Sequence, residues 1–100
     1  MPRNTTSHMF VYVYVLESLK DGDRYIGYTD NLERRVDEHN RGFNFSTKFR
    51  LPFKLIYFEG CLDKKDAKRR EQYMKTTQGR RFLGIRISEY QTRKTFGLGS

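Results

Sequence analysis

The sequence is poor in the residues that cross-link a small protein or embed it in a membrane. Its 100 residues include one cysteine and no tryptophan. The single Cys61 excludes a disulfide framework within the chain, and no CxxC pair or Cys/His cluster offers a zinc site. No apolar run approaches the roughly 18–20 residues that a membrane span requires, and the longest runs from Met9 to Leu16. These absences predict a protein of the reducing cytoplasm with no membrane association.

Positive charge, by contrast, is abundant and unevenly placed. The 20 Lys and Arg residues outnumber the 12 Asp and Glu residues, which gives a net charge of +8. Residues 1–60 carry 9 basic and 8 acidic side chains, whereas residues 61–100 carry 11 basic and 4 acidic ones. A basic C-terminal half predicts a surface that meets the phosphates of a nucleic acid. The alternative is that the charge serves solubility alone.

The length and the 36% hydrophobic content suit one compact domain with a single core. Residues rich in β-branched and aromatic side chains predict strands, and capped segments with helical spacing predict helices. In chain order these are strands at 9–16, 24–29 and 53–59 and helices at 31–41, 64–77 and 80–87. Gly79 is predicted to break the second helix. We expect a domain over residues 9–88, with flexible tails at 1–8 and 89–100.

Three aromatic side chains, Phe43, Phe45 and Phe49, fall in the predicted loop at 42–52. We expect these rings to pin the loop to the core. The alternative is that they stack on unpaired nucleic-acid bases.

Several polar side chains occupy positions that a purely structural protein does not need. Tyr14 and Tyr25 lie on adjacent predicted strands, and Tyr25 shares a face with Gly27, where a missing side chain lets another group approach the backbone. Arg35 and His39 are four residues apart and share one face of the first helix. By spacing alone, His39 is equally well explained as a surface or hydrogen-bonded structural residue.

Glu71 lies on the apolar stripe of the second helix, between Ala67 and Met74. A carboxylate directed toward a core costs several kcal/mol, roughly, unless it is paired or bound to a metal. The structural explanation is an ion pair with Arg35 or Arg70, or a helix phase that places Glu71 in water.

Four ordered blocks resemble the GIY-YIG nuclease family. Tyr25-Ile26-Gly27 matches the second half of the family signature, and Tyr12-Val13-Tyr14 stands in place of the Gly-Ile-Tyr half, with its last tyrosine eleven residues upstream. The resemblance continues through 29–40, 69–71 and 75–83, and so covers residues 10–83. It is similar in extent to small stand-alone members and to the N-terminal catalytic domain of the bacterial excision-repair endonuclease.

The resemblance implies an α/β fold with a small three-stranded antiparallel sheet flanked by helices. It also implies that Tyr14, Tyr25, Arg35 and His39 are catalytic and that Glu71 binds one Mg²⁺ or Mn²⁺ ion. Phosphodiester hydrolysis needs an activated water and neutralised phosphate charge, which a tyrosine with His39 as relay and an arginine with a metal can supply. Which tyrosine is the base stays open.

The resemblance therefore predicts a metal-dependent endonuclease that hydrolyses phosphodiester bonds in DNA, with a role in DNA repair. Exposed cations near Glu71 are expected to steer phosphate, or else to form an ordinary solvated helix face; they are Lys64, Lys65, Lys68 and Arg69. The main alternative is a non-catalytic nucleic-acid-binding module that keeps the fold. A basic accessory protein that binds RNA or another protein is a third hypothesis, and a protein partner or a homodimer is left open.

Overall fold

The computed structural model describes residues 10–97 and contains a three-stranded antiparallel sheet in the order β2-β1-β3. This architecture confirms the predicted α/β fold. The elements, in chain order, are β1 (Val11–Ser18), β2 (Arg24–Thr29), α1 (Leu32–Asn40), β3 (Phe53–Cys61), α2 (Lys64–Met74), α3 (Thr77–Arg86) and α4 (Ser88–Thr95), with a short 3₁₀ turn at Lys48–Arg50. Within residues 10–97, none of the helices is both long enough and apolar enough to cross a membrane.

The β1–β2 hairpin places the two predicted tyrosines on one face of the sheet. Gly22 takes a positive φ of 78° in the turn. Tyr14 pairs with Gly27 across the ladder. A Cβ atom on Gly27 would lie 2.6 Å from the Tyr14 hydroxyl, so glycine is required at this position. The group that approaches the bare backbone, as the sequence predicted, is therefore the Tyr14 side chain.

Each face of the sheet has its own apolar cluster, because side chains alternate along a strand. Tyr14, Leu16 and Phe53 form the cluster on the face that α1 covers. Val13 and Val15 lie on the other face, where they pack against α2 and α3 through residues that include Met74 and Leu83. The tyrosine face is thus the thinner side of the protein, covered by one short helix.

Helix α1 begins and ends close to its predicted limits. Asn31 caps it, since its side chain accepts a hydrogen bond from the backbone N–H of Arg34. Gly42, with a φ of 79°, takes the chain out of the helix. Only His39 of this helix is buried, so α1 brings a polar side chain rather than an apolar one to the sheet.

The break between the second and third helices differs from the prediction. Helix α2 ends at Met74, and α3 starts at Thr77 with Thr76 as its cap, whose side chain accepts from Gly79. Gly79 is therefore inside the first turn of α3 and does not break a helix. A Cβ atom there would lie 2.0 Å from the Tyr73 backbone oxygen, so its absence permits close packing of the two helices.

Helix α4 occupies part of the segment that the sequence predicted to be a flexible tail. Its Tyr90 hydroxyl and Lys94 ammonium both donate hydrogen bonds to Glu17, which is 2% exposed at the end of β1. These long-range contacts could not be read from local spacing. Residues 1–8 and 98–100 of the predicted tails lie outside the described residues.

Replacing Glu17 by Gln is expected to lower the free energy of unfolding by about 1.5–3 kcal/mol at pH 7, the usual value of hydrogen bonds to a charged group. Burial raises the pKa of Glu17, but hydrogen bonds from Lys94 and Tyr90 outweigh it, and the pKa lies below its usual 4.5. The stabilisation is therefore complete above pH 4.5 and is lost as the pH falls through the lower, folded-state pKa. Urea unfolding at a series of pH values measures the effect.

The matched control is Glu89→Gln, on an exposed position of α4. A Glu17→Gln protein as stable as this control at pH 7 would contradict the assigned role of Glu17.

The segment between α1 and β3 is held by polar side chains rather than by its phenylalanines. Thr47 is fully buried, and Asn40 exchanges two hydrogen bonds with the backbone of Phe53. Phe43, Phe45 and Phe49 are all exposed. The prediction that these rings pin the loop to the core is therefore wrong, because buried hydrogen bonds fix the loop instead.

Candidate active site

Strands β1 and β2 and helix α1 bring three of the predicted site residues together. The Tyr14 hydroxyl lies 3.0 Å from Nε2 of His39, and both side chains are almost fully buried. The ring of Tyr25 lies 4.8 Å from that of His39 and 6.2 Å from that of Tyr14, measured between centroids. Within residues 10–97, the Tyr25 hydroxyl makes no hydrogen bond. Tyr14 is thus engaged inside the protein, while Tyr25 is half-buried with its hydroxyl uncommitted.

A fourth side chain, Thr47, completes the chain of hydrogen bonds. Its Oγ1 lies 3.0 Å from Nδ1 of His39 and 3.4 Å from the backbone oxygen of Asn44. A hydroxyl that donates to Asn44 must accept from His39, which assigns the imidazole proton to Nδ1. The lone pair of Nε2 then faces Tyr14, whose hydroxyl donates to it.

Sequence reasoning missed Thr47. It lies in a loop with no periodicity, eight residues beyond His39, and no spacing pattern links the two. Its single sequence-level signal is a hydroxyl residue within an aromatic and basic segment, which is too common to be informative.

Burial keeps both members of the Tyr14–His39 pair neutral at pH 7. Burial is the main cause that raises the pKa of Tyr14 to about 12, with Arg35 opposing and the charges of Tyr25 and Glu71 adding to the rise. Burial, followed by the positive charge of Arg35, lowers the pKa of His39 to about 4. The phenol is therefore a proton donor and the imidazole an acceptor.

Arg35 lies one helical turn before His39 and is about two-thirds buried. Its Nη1 donates to the Glu38 carboxylate at 3.0 Å, and its side chain is 31% exposed. A partly exposed guanidinium beside the tyrosines can bind a phosphate through two parallel hydrogen bonds. Arg35 is thus placed to hold an anion next to the Tyr14–His39 pair.

Helix α2 presents Glu71, which is 8% exposed, as the sequence stripe predicted. Neither ion pair considered from the sequence forms. Arg35 bonds Glu38, and Arg70 forms two hydrogen bonds of 2.9 Å with Glu59. The partner of Glu71 is instead Lys75, whose ammonium lies 2.6 Å from Oε2.

The donor set at Glu71 suits a divalent ion that binds through one carboxylate. Mg²⁺ usually keeps several waters and takes one or two carboxylates together with substrate phosphates. The carboxylate of Glu71 already attracts a cation, and the half-exposed Lys75 can move into water to release it. Among residues 10–97, no group of three or more His, Cys, Asp and Glu side chains could hold a metal. Any ion at Glu71 would therefore depend on the phosphate for further ligands.

The four predicted phosphate-steering cations line the solvent side of the same helix. Lys64, Lys65, Lys68 and Arg69 are all exposed. Arg69 is partly neutralised by Asp66, one turn earlier. Helix α2 thus carries a row of cations outward and the Glu71 carboxylate inward.

A small antiparallel sheet whose two tyrosines meet a histidine and an arginine of one helix defines a domain of the phosphodiester-cleaving α/β class. The family model of the GIY-YIG catalytic domain matches residues 10–83, and the chain belongs to this family. The GIY-YIG domain is a nuclease domain, and its members generally use a divalent metal.

Its relatives include several UPF0213 proteins, which are small single-domain GIY-YIG proteins. One from Clostridium perfringens is 46% identical over 65 residues, which cover 64% of this chain and 69% of the relative. Another, from Bacillus licheniformis, is 46% identical over 72 residues, or 71% of this chain and 70% of the relative. The solution NMR structure of a UPF0213 protein from Bacillus halodurans shares 36% identity, with a TM-score of 0.47, over 75% of this chain and 82% of that one.

Proposed function

We propose that this protein is a metal-dependent endonuclease that hydrolyses phosphodiester bonds in DNA. The observation that carries the proposal is the ordered chain of hydrogen bonds from Tyr14 through His39 to Thr47, next to the half-buried Tyr25 and Arg35. A structural protein gains little from burying two polar rings and a hydroxyl in its thinner face. A proton relay requires this arrangement.

In the proposed reaction, Tyr14 passes a proton from the attacking water to Nε2 of His39. The phenol receives the proton of the water on its oxygen as it gives its own proton to His39, so no free phenolate has to form. The hydroxide so generated attacks phosphorus, and the bond to the leaving oxygen breaks. Thr47 accepts the Nδ1 proton of His39 throughout, which keeps Nε2 as the receiving atom.

Substrate binding makes His39 a better base. Its pKa is held down partly by the charge of Arg35. A phosphate bound to Arg35 neutralises that charge, so the pKa of His39 rises when a substrate is in place. The relay is therefore weak in the free protein and stronger in the complex.

Glu71 would hold the Mg²⁺ or Mn²⁺ ion in this proposal. Such an ion supplies positive charge to the phosphate as negative charge develops in the transition state. The exposed cations of α2, which are Lys64, Lys65, Lys68 and Arg69, would contact the flanking phosphates of the DNA, and binding would then weaken as salt is added. A role in DNA repair and a cytoplasmic location are parts of the same proposal.

A nicking assay tests the function directly. The purified protein is incubated with duplex, flap, branched and single-stranded DNA in Mg²⁺, in Mn²⁺ or in excess EDTA. We expect cleavage of at least one substrate with either metal and none in EDTA. Binding without cleavage of all four substrates would instead support the non-catalytic nucleic-acid-binding module.

A further inference from the structure

The loop between α1 and β3 displays three phenylalanine rings to solvent. Phe43, Phe45 and Phe49 are 64%, 75% and 67% exposed. Single exposed apolar side chains are ordinary, but three large rings within seven residues form a contiguous apolar surface. We call Phe43–Phe49 the aromatic loop.

Cations are interleaved with these rings. The Lys48 ammonium lies 4.8 Å from the centre of the Phe45 ring and 5.0 Å from that of Phe49. The Arg41 guanidinium lies 5.0 Å from the centre of Phe43 and also pairs with Asp37. Flat rings beside positive charges are the chemistry by which proteins bind single-stranded nucleic acid, since the rings stack on bases and the cations meet phosphates.

The aromatic loop is attached to the candidate site. Thr47, which lies between Phe45 and Phe49 in the sequence, is the buried residue that bonds Nδ1 of His39. The far end is fixed as well, because Lys20 donates to the Phe49 backbone oxygen at 3.1 Å. The exposed rings therefore keep a defined position relative to Tyr14 and His39.

We propose that the aromatic loop binds unpaired nucleic-acid bases beside the site, so that the substrate carries a single-stranded segment next to the cleaved phosphate. The reference to cleavage rests on the proposed function, while the binding does not. In a duplex the base faces are stacked on one another and the rings have nothing to contact. A second copy of the protein would bring Lys48 and Arg41 against their own like charges, which disfavours self-association through this surface.

Binding is measured in EDTA, so that no strand is cut. Dye-labelled oligo(dT) and a duplex of equal length are titrated with the parent protein, Phe45→Ala and Phe49→Ala. Stacking on one ring contributes about 1–3 kcal/mol, so each variant is expected to bind oligo(dT) at least about fivefold more weakly. Duplex affinity is expected to stay unchanged. The matched control is Phe96→Ala, an equally exposed phenylalanine at the end of α4 that should have no effect.

A second measurement reports the stacking itself. The chain contains no tryptophan, so Phe45→Trp introduces a single fluorescent reporter. Oligo(dT) is expected to quench this fluorescence while retaining parental affinity, because indole stacks on bases at least as well as phenyl.

Several outcomes would overturn the proposal: unchanged oligo(dT) affinity in both alanine variants, equal losses on duplex and single strand, or absence of quenching. A parent protein that sediments as a dimer and a Phe45→Ala variant that sediments as a monomer would assign the loop to self-association. Binding of oligo(dT) through the rings by a protein that cuts no substrate would leave this inference standing and contradict the endonuclease.

Discussion

Replacing Glu71 by Gln is expected to abolish DNA cleavage while leaving the protein folded and able to bind DNA. Loss of the carboxylate removes the one protein ligand proposed for the metal, and the several kcal/mol of charge stabilisation lost correspond to roughly 10³-fold or more in rate. Stability should change by less than about 1 kcal/mol, because Lys75 is 53% exposed and its ammonium can return to water. Nicking rates, thermal melting and DNA binding in EDTA provide the three readouts.

Glu33→Gln, an exposed carboxylate of α1, is the matched control and should cut at the parental rate. A buried structural ion pair behaves differently from a metal ligand, since removing one partner costs about 3–5 kcal/mol. A large fall in melting temperature for Glu71→Gln, or parental nicking in Mg²⁺, would therefore contradict the metal assignment.

Tyr14→Phe is expected to lower the cleavage rate by about 10²–10⁴-fold, the usual contribution of a positioned proton-transfer group. The ring still fills its place against Gly27, but the water loses its proton acceptor. The variant also leaves Nε2 of His39 without its partner, which costs about 1–3 kcal/mol of stability. Single-turnover cleavage under conditions where the variant remains folded measures the chemical step.

Tyr12→Phe serves as the control, because Tyr12 lies two residues away on the same strand and face and packs against Phe58 instead. It should retain the parental rate. If Tyr14→Phe also retained that rate while Tyr25→Phe lost it, the base would be Tyr25 and the relay through His39 would be wrong.

Much of the framework could be predicted because it depends on local rules. Alternation along β1 and β2 assigned Tyr14 and Tyr25 to one face, and the cap at Asn31 fixed the start of α1, which in turn positions Arg35 and His39. The inward direction of Glu71 followed from its helical stripe. These features need only the geometry of a strand or a helix, so a single sequence contains them.

The remaining features depend on contacts between distant segments. Helix α4 is anchored to Glu17 across more than seventy residues, and Gly79 owes its place to the backbone of Tyr73 rather than to its own helix propensity. The exposure of Phe45 and Phe49 follows from the burial of Thr47 between them. No periodicity records such choices, because a loop of this kind is fixed by one buried hydrogen bond and not by a repeated pattern.

The two hydrogen bonds between Arg70 and Glu59 bear on the aim of the neighbouring Glu71. Successive residues of an α-helix are separated by about 100° of rotation, so a helix free to roll on its apolar stripe would sweep the next side chain through a wide arc. A planar guanidinium that binds a carboxylate of the sheet at two points resists that rolling, which a single-point lysine contact would not. Arg70 thus acts as a rotational stop for α2, and the direction in which Glu71 points is set by the residue before it in the chain.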